Sequence, residues 1–497
     1  MRPASESRLM EINDLTPAEL RVWQAFPKGE AVDFRAAQDE SAADGAGWGP
    51  QRTLRATVLR ALLLDGPVVG GEVAALKVAG ARITGALDLR YATVESVARL
   101  SQCRFDDVPD LSGAQLKYLN LSGSDLPGLA GARIRVDGGL RLAKCRFRGP
   151  VRLGGAQIAG ALYLEDAEIT APEGTEDPVL QLHQVTVGED LCASRLRTRG
   201  EVRFDGAAIS GSLRLDEAEL RHPVGRALHA EALSVGANVM CRRISVHGRI
   251  ALRGARIPGL LDLLYSRLSN PGGTSMQASS CVIGELWLRK GPPIEGMLNL
   301  RRSQIEHLNL APEMLPDQVR LLDLTYTSLT PHVPPEQRLP MLERDEDTFD
   351  PHGYEQLTAA YRRTGDDHAA RLVQLAKQRR HRTTLPWYGR LWGHVQDATV
   401  GYGFRPMRAL GWLLSLLAVG SVAFALHQPP ALKADEAPHF NPVFYTLDLL
   451  LPVISFGQEP AFAPEGPQQA LAYALVLLGW ILATTVIAGV TRTVSRQ

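Results

Sequence analysis

The sequence predicts a mainly β protein: a solenoid of short strands with a helical cap before it, followed by a linker helix and an α-helical transmembrane hairpin. Three observations predict it. A motif of fifteen residues recurs through the middle of the chain. Its large apolar residues step by five or six, which fits neither the 3.6 period of a helix nor the period of 2 of one long strand. Two uncharged stretches of roughly bilayer length lie near the end. At 497 residues the chain is too long for one ordinary domain, and it divides at 1–68, 69–330, 331–404 and 405–497.

Residues 1–68 are expected to form a helical N-terminal cap, because solenoid ends expose unpaired strand edges. The opening MRPASESRLMEINDL has no apolar core of the kind a secretory signal needs. Thr16-Pro17-Ala18-Glu19 reads as a capping box with proline at the first helical position. Leu54, Val58, Ala61 and Leu62 form the apolar stripe of a short helix ending at Gly66.

The repeat fills residues 69–330. GARITGALDLRYATV begins at Gly80, GAQIAGALYLEDAEI at Gly155, GAAISGSLRLDEAEL at Gly206 and GARIPGLLDLLYSRL at Gly254. The template is GAxIxGxLxLxxAxI, with its last apolar residue eleven positions after its first. Ile83, Val94, Phe105 and Leu116 keep that step, as do Val136, Phe147, Ile158 and Ile169. Between Leu111 and Leu126 the step is a plain five, in LSGAQLKYLNLSGSDL. Short strands joined by corners explain this: one large apolar residue per side fills a narrow core, and the residue two before it also points inward, where only a small one fits. Cys103 before Phe105 and Cys145 before Phe147 take that small slot as packing atoms. Leu87, Leu89, Leu162, Leu164, Leu213 and Leu215 should share one core, with Arg141, Glu165, Arg214 and Asp216 pointing outward.

In the stretch from Leu111 to Leu126 the sequence resembles the pentapeptide-repeat proteins, whose A(D/N)LxX units wind a right-handed quadrilateral β-helix. The resemblance covers about residues 70–330 and implies that architecture here. A leucine-rich horseshoe would need a helical return in each repeat, and eleven residues leave no room for one.

Residues 331–404 open with the Pro-rich PHVPPEQRLP and continue as a helix over 353–382, with Tyr354, Leu357, Tyr361, Leu372 and Leu375 on its apolar side. It ends in Lys377, Arg379, Arg380, His381 and Arg382, a basic cluster that reads as a topology signal and headgroup contact. Thr399-Val400-Gly401-Tyr402-Gly403 spells a potassium-filter sequence, but it precedes the first span and reads as a juxtamembrane turn.

In 405–497, residues 409–426 and 470–490 read as two transmembrane helices. Arg405 and Arg408 precede the first, and Arg492 and Arg496 follow the second. Between them Lys433 faces Asp435, Glu436, Asp448, Glu459 and Glu465. The positive-inside rule then puts both termini and the solenoid in the cytoplasm of a plasma-membrane protein. FYTLDLLLPVISF, residues 444–456, is too short to span and reads as a re-entrant or interfacial segment, carrying Asp448 and interrupted by Pro452. Two spans around such a segment loosely resemble the pore module of potassium-type channels, with Ser455-Phe456-Gly457-Gln458 in the filter's place but without the filter's threonines or second glycine. Asp448, Ser455, Gly457 and Gln458 are therefore the candidate functional residues.

Chemistry is otherwise sparse. Lys+Arg and Asp+Glu both total 54, so no net charge draws the chain to nucleic acid. Five dispersed cysteines without a CxxC pair offer no zinc knuckle and suit a reducing compartment. No GxGxxG, GxxxxGK[ST], HExxH or GxSxG occurs in a fitting context, so no catalytic residue, metal ligand or cofactor is expected. Trp387, Trp392 and Trp412 suit an interfacial belt. The whole chain also resembles actinobacterial proteins labelled membrane-associated oxidoreductases, which implies a redox activity that no residue here indicates. Three readings follow: a membrane-anchored scaffold whose solenoid binds a protein partner, a membrane oxidoreductase, or an oligomeric channel or mechanosensor. The expected partners are membrane lipid, a protein on the solenoid surface and, for the last reading, further copies of the chain.

Overall fold

A computed structural model describes residues 14–37, 40–172, 177–344, 349–400, 406–433, 438–451 and 454–494. The chain forms two compact units, Met1–Gln356 and Leu357–Gln497. The first is a β-solenoid of about 11 turns, with all its strand pairs parallel and gathered into sheets of 20 and 16 strands. One coil shows the construction. Strands Arg135–Val136, Leu140–Arg141, Arg146–Phe147 and Val151–Arg152 follow one another, and Gln157–Ile158 then pairs back onto Arg135–Val136. The eleven-residue period is thus half a coil.

Each part of the template has a physical task. Its first glycine sits at a corner with left-handed backbone: φ is +70° at Gly80, +67° at Gly155, +64° at Gly206 and +71° at Gly254. The same corner is taken by Lys144, Asp166, Arg195 and Glu217 at φ +56° to +59°, an unusual tolerance for non-glycine residues. The next residue is the small inward one: Ala81, Cys103, Cys145, Ala156, Ala167 and Cys281 are all buried. The Cys103 Sγ lies 3.3 Å from Ser101 O and the Cys145 Sγ 3.0 Å from Leu121 O. Burial pushes both thiols up to about 12, so they are packing atoms. A glycine at the template's fifth position, directly after its large apolar residue, has a different role. A Cβ at Gly188, Gly236 or Gly284 would overlap the carbonyl oxygen of Ala159, Ser210 or Pro258 in the preceding coil. Leu87, Leu89, Leu162, Leu164, Leu213 and Leu215 are buried in the core, as the repeat requires.

Outward positions carry charges of opposite sign on successive coils. Arg195 reaches Asp166 at 2.6 Å and Arg243 reaches Glu217 at 3.2 Å. Asp125, almost fully buried, is held by Arg104 at 3.2 Å and Arg148 at 3.0 Å. The balanced composition is thus matched by local pairing across coils. Exposed pairs of this kind each add about 0–1 kcal/mol and set register more than stability.

Later coils alternate in length. Gly200, Gly248 and Gly296, at φ +130°, +126° and +115°, stand 48 residues apart, two coils each. Gly248 and Gly296 each lie against a bulged loop within a long strand of the coil before: a Cβ at Gly248 would strike His222 O, and one at Gly296 would strike Asn270 O and Ser275 Oγ. Those loops carry Pro223-Val224-Gly225 and Pro271-Gly272-Gly273, with Val224 almost wholly exposed.

The N-terminal residues do more than cover the end. In α1 (Pro17–Ala25) the Thr16 hydroxyl accepts from Glu19 N and the Glu19 carboxylate accepts from Thr16 N, closing the capping box. Buried Glu19 also meets Arg55 at 2.7 Å. Strand Ala31–Asp33 pairs with Ala75–Ala79, and Thr53–Arg55 pairs with Arg82–Thr84. Leu54, expected on a helical stripe, is therefore a buried strand residue, and α2 (Ala56–Asp65) buries Val58, Leu59, Leu62 and Leu63. At the other end lies α3 (Pro335–Glu343). There the buried Arg338 donates to Leu310 O at 2.6 Å and Pro331 O at 2.8 Å, while Arg344 donates to Leu315 O and Pro316 O. Carbonyls that a further coil would have engaged are met by guanidinium groups.

The helix expected over 353–382 is broken in two, α4 (Pro351–Arg363) and α5 (Asp367–Thr384). Gly365, at φ +76°, ends the first, and Asp366 caps the second by accepting from Ala369 N at 2.9 Å. Next come α6 (Trp387–Val400), α7 (Pro406–Leu426), α8 (Pro442–Leu450) and α9 (Pro467–Val494). Among the described residues, one helix is long and apolar enough to cross a membrane, through Pro467–Thr484 of α9, and the apolar part of α7, Leu410–Leu426, is shorter. Gly401, Tyr402 and Gly403 of the filter-like sequence lie outside the described residues, as does Pro452.

Candidate functional site

In the helical unit, α8 packs against both α7 and α9 because glycines let it approach. A Cβ at Gly420 of α7 would collide with Thr446, and one at Gly479 of α9 with the backbone of Leu450. Glycine at such contacts lets helix backbones approach closely. Phe424, Tyr445, Leu449, Leu450, Phe462 and Leu475 form the core around them. The Phe424 and Tyr445 rings meet edge to face at 4.9 Å.

This packing brings the four candidate residues together. Asn441 caps α8, its Oδ1 accepting from Val443 N at 3.0 Å and Phe444 N at 3.3 Å. In the last turn of the helix Asp448 is buried, with its carboxylate turned to the loop that follows. Oδ2 accepts from Gln458 N at 2.7 Å and Glu459 N at 3.1 Å, and Oδ1 accepts from Phe456 N. Gln458 closes the loop onto the helix start: its Oε1 accepts from Asn441 N at 3.1 Å, and its Nε2 donates to His439 O. The exposed Ser455 hydroxyl accepts from Gly457 N at 3.3 Å. Three amide dipoles thus solvate one buried carboxylate. The arrangement ties the short helix to Phe456, Gln458 and Glu459.

A second site lies on the solenoid, where a shallow slot of about 250 Å³ is lined by Tyr118, Arg141, Tyr163, Asp137, Glu189 and three glycines. Gly138, Gly139 and Gly160 make its floor; a Cβ on Gly138 would lie 2.9 Å from Lys117 O, and one on Gly160 2.9 Å from Gly138 C. The Arg141 guanidinium sits 3.9 Å from the centre of the Tyr163 ring. Arg141, Asp137 and Glu189 form no ion pair among the described residues, although arginines on neighbouring coils are paired. The repeat pattern points Arg141 outward but does not by itself bring the tyrosines to it. The legible signal was the Gly138-Gly139 doublet, which removes side chains from one coil between two tyrosine-bearing ones.

No cluster of three or more histidine, cysteine, aspartate or glutamate side chains able to hold a metal occurs among the described residues. No protein-family model, curated protein or solved structure matches the chain. The pentapeptide-like character therefore rests on the repeat and its coils, and the oxidoreductase resemblance finds no support among known proteins.

Proposed function

We propose that the chain is a membrane-anchored scaffold. Its solenoid is a right-handed, four-sided β-helix held at the plasma membrane by α7 and α9 as two spans, with both termini in the cytoplasm. The observation that carries the reading is the slot at Arg141 and Tyr163, where charges without an ion pair among the described residues collect beside aromatic rings. Side chains of this kind anchor protein interfaces. The exposed Leu410, Leu414, Val419, Val422 and Leu426 of α7 support anchoring, as do Leu477 and Trp480 of α9.

A photo-crosslinking residue at Tyr163 should capture one protein in cells, and Arg141→Glu should abolish the capture while Arg203→Glu, on the other sheet, leaves it intact. Crosslinking no greater than from the other sheet would overturn the reading. For topology, cysteines at Ser5 and Ser495 should resist an impermeant thiol reagent in intact cells and one at Glu465 should react; labelling of either terminal site reverses the orientation.

One observation favours a channel as the second reading: a short helix and its returning loop lie between two apolar helices. The three N–H groups already donated to Asp448 weigh against a ring of carboxylates lining a pore. Discrete single-channel currents in reconstituted bilayers, altered by Asp448→Asn, would favour the channel over the scaffold.

A further inference from the structure

The α5–α6 pair has an inner and an outer side. On the inner side, the Asp397 carboxylate of α6 accepts from Arg379 at 3.0 and 3.1 Å and from Arg382 at 3.4 Å, tying α6 back to α5, and Gly393 is buried. On the outer side of the first turns of α6, Trp387 is 76% exposed, Tyr388 64% and Leu391 60%. Trp387 and Leu391 are four apart and share a stripe, flanked by exposed Arg390 and His394. Three large apolar side chains facing water in adjacent positions mark a contact surface.

The charges around this stripe point to what covers it. Arg380 near the end of α5, Arg390 in α6 and Arg408 in the first turn of α7 have no carboxylate partner among the described residues. The Nε of Arg390 donates to Leu385 O at 2.7 Å. Tryptophan and tyrosine beside arginine is the composition of a membrane–water interface. The next helix along the chain is the apolar α7.

We infer that α6 is an interfacial helix that selects anionic phospholipid. It rests on the anchoring proposed above and adds the lipid class and the residues that read it. Trp387, Tyr388 and Leu391 insert at the boundary between headgroups and acyl chains, and Arg380, Arg390 and Arg408 engage headgroup phosphates.

The full-length protein in dodecyl maltoside is titrated with phosphatidylglycerol or phosphatidylcholine, and bound lipid is counted by native mass spectrometry. Phosphatidylglycerol should be retained preferentially, and added salt should weaken it. The triple variant Arg380→Gln, Arg390→Gln, Arg408→Gln should lose affinity for it on the order of 100-fold. Triple replacement by lysine should keep most of the binding. Brominated phosphatidylglycerol should quench a component of the tryptophan emission that Trp387→Phe removes. Equal retention of the two lipids, or a preference unchanged in the glutamine variant, overturns the inference. Carbonate extraction separates this from a failure of anchoring: a membrane-embedded chain without lipid preference defeats only the lipid claim, whereas a chain released by carbonate defeats both.

Discussion

Glycines at the first and fifth positions of the repeat template should respond oppositely to substitution. At Gly236 an added Cβ overlaps the carbonyl oxygen and carbonyl carbon of Ser210 in the coil before it. Those are backbone atoms in a parallel ladder and cannot rotate away, so Gly236→Ala must wedge two coils apart. Overpacking of this sort costs about 1–3 kcal/mol, and the smaller entropy of the unfolded alanine chain returns about 0.4–1 kcal/mol. A net loss of about 1.3 kcal/mol corresponds to a Tm lower by roughly 2 °C in a unit as long as Met1–Gln356. At Gly254 the obstacle is conformational: φ is +71°, and a Cβ there meets nothing within 4 Å. Asparagine tolerates that region, and the entropic gain offsets much of its strain. Gly254→Asn should therefore stay within about 1 kcal/mol of the parent. Far-UV circular dichroism melts of the full-length protein in detergent, with urea titrations beside them, measure both. A Gly236→Ala protein that melts with the parent, or a Gly254→Asn protein that falls as far as Gly236→Ala, would refute the two roles.

Leu213→Asp puts a charge among buried leucines and should cost several kcal/mol, read as loss of the cooperative solenoid transition; a parental melt would mean the core register is wrong. Of the five cysteines, Cys103, Cys145, Cys241 and Cys281 are buried and Cys192 is half-exposed. Burial pushes the Cys281 thiol up to about 11 and those of Cys103 and Cys145 to about 12. A thiol reagent at pH 8 should thus find one slow group in the native protein and five in denaturant. Asp448→Asn removes charge-assisted acceptance from three backbone amides and should destabilise the helical unit by about 1.5–3 kcal/mol; limited proteolysis should then cut near Ser455. Hydrogen bonds from the Arg90 side chain hold Asp88 at about 2, against an ordinary value near 4. That stabilisation is present above pH 4 and is lost as pH falls toward 2, so Arg90→Gln should flatten acid unfolding across that window.

The solenoid was legible because its signal is repeated: each Gly-Ala-x-Ile states a corner, a small inward slot and a large inward residue, and errors in one coil are outvoted by the rest. Non-glycine corners such as Lys144 and Arg195 were not legible, since nothing local marks a lysine as left-handed; only its place before Cys145 in the coil does. Leu54 was misplaced because an isolated buried leucine fits a helix stripe or a strand equally, and its partner Ile83 is far along the chain. The break at Gly365 was visible as a glycine beside a capping aspartate but was overridden by the apolar spacing on either side. Asp448 stands out in the sequence as a carboxylate in an apolar segment, yet the amides that solvate it belong to a loop whose path no periodicity describes. The slot escaped for the same reason: Tyr118 and Tyr163 meet only when coils stack.

Stacking by whole coils also makes the first unit a ruler. Parallel strands lie about 4.8 Å apart, so about 11 turns set a rod of roughly 50 Å, and its length can change only in whole coils. Gly206 and Gly254 occupy the same corner 48 residues apart. Excision of residues 206–253 would join Asp205 to Gly254 with every inward residue still inward, shortening the rod by about 10 Å and deleting the Pro223-Val224-Gly225 loop. Each coil touches only its neighbours, so the end held by Arg338 and the end closed by Glu19 and Arg55 would not register the loss. Distance between whatever binds at the two ends is thereby encoded in repeat number alone, a dimension that insertion or deletion of paired coils can tune without redesigning a single contact.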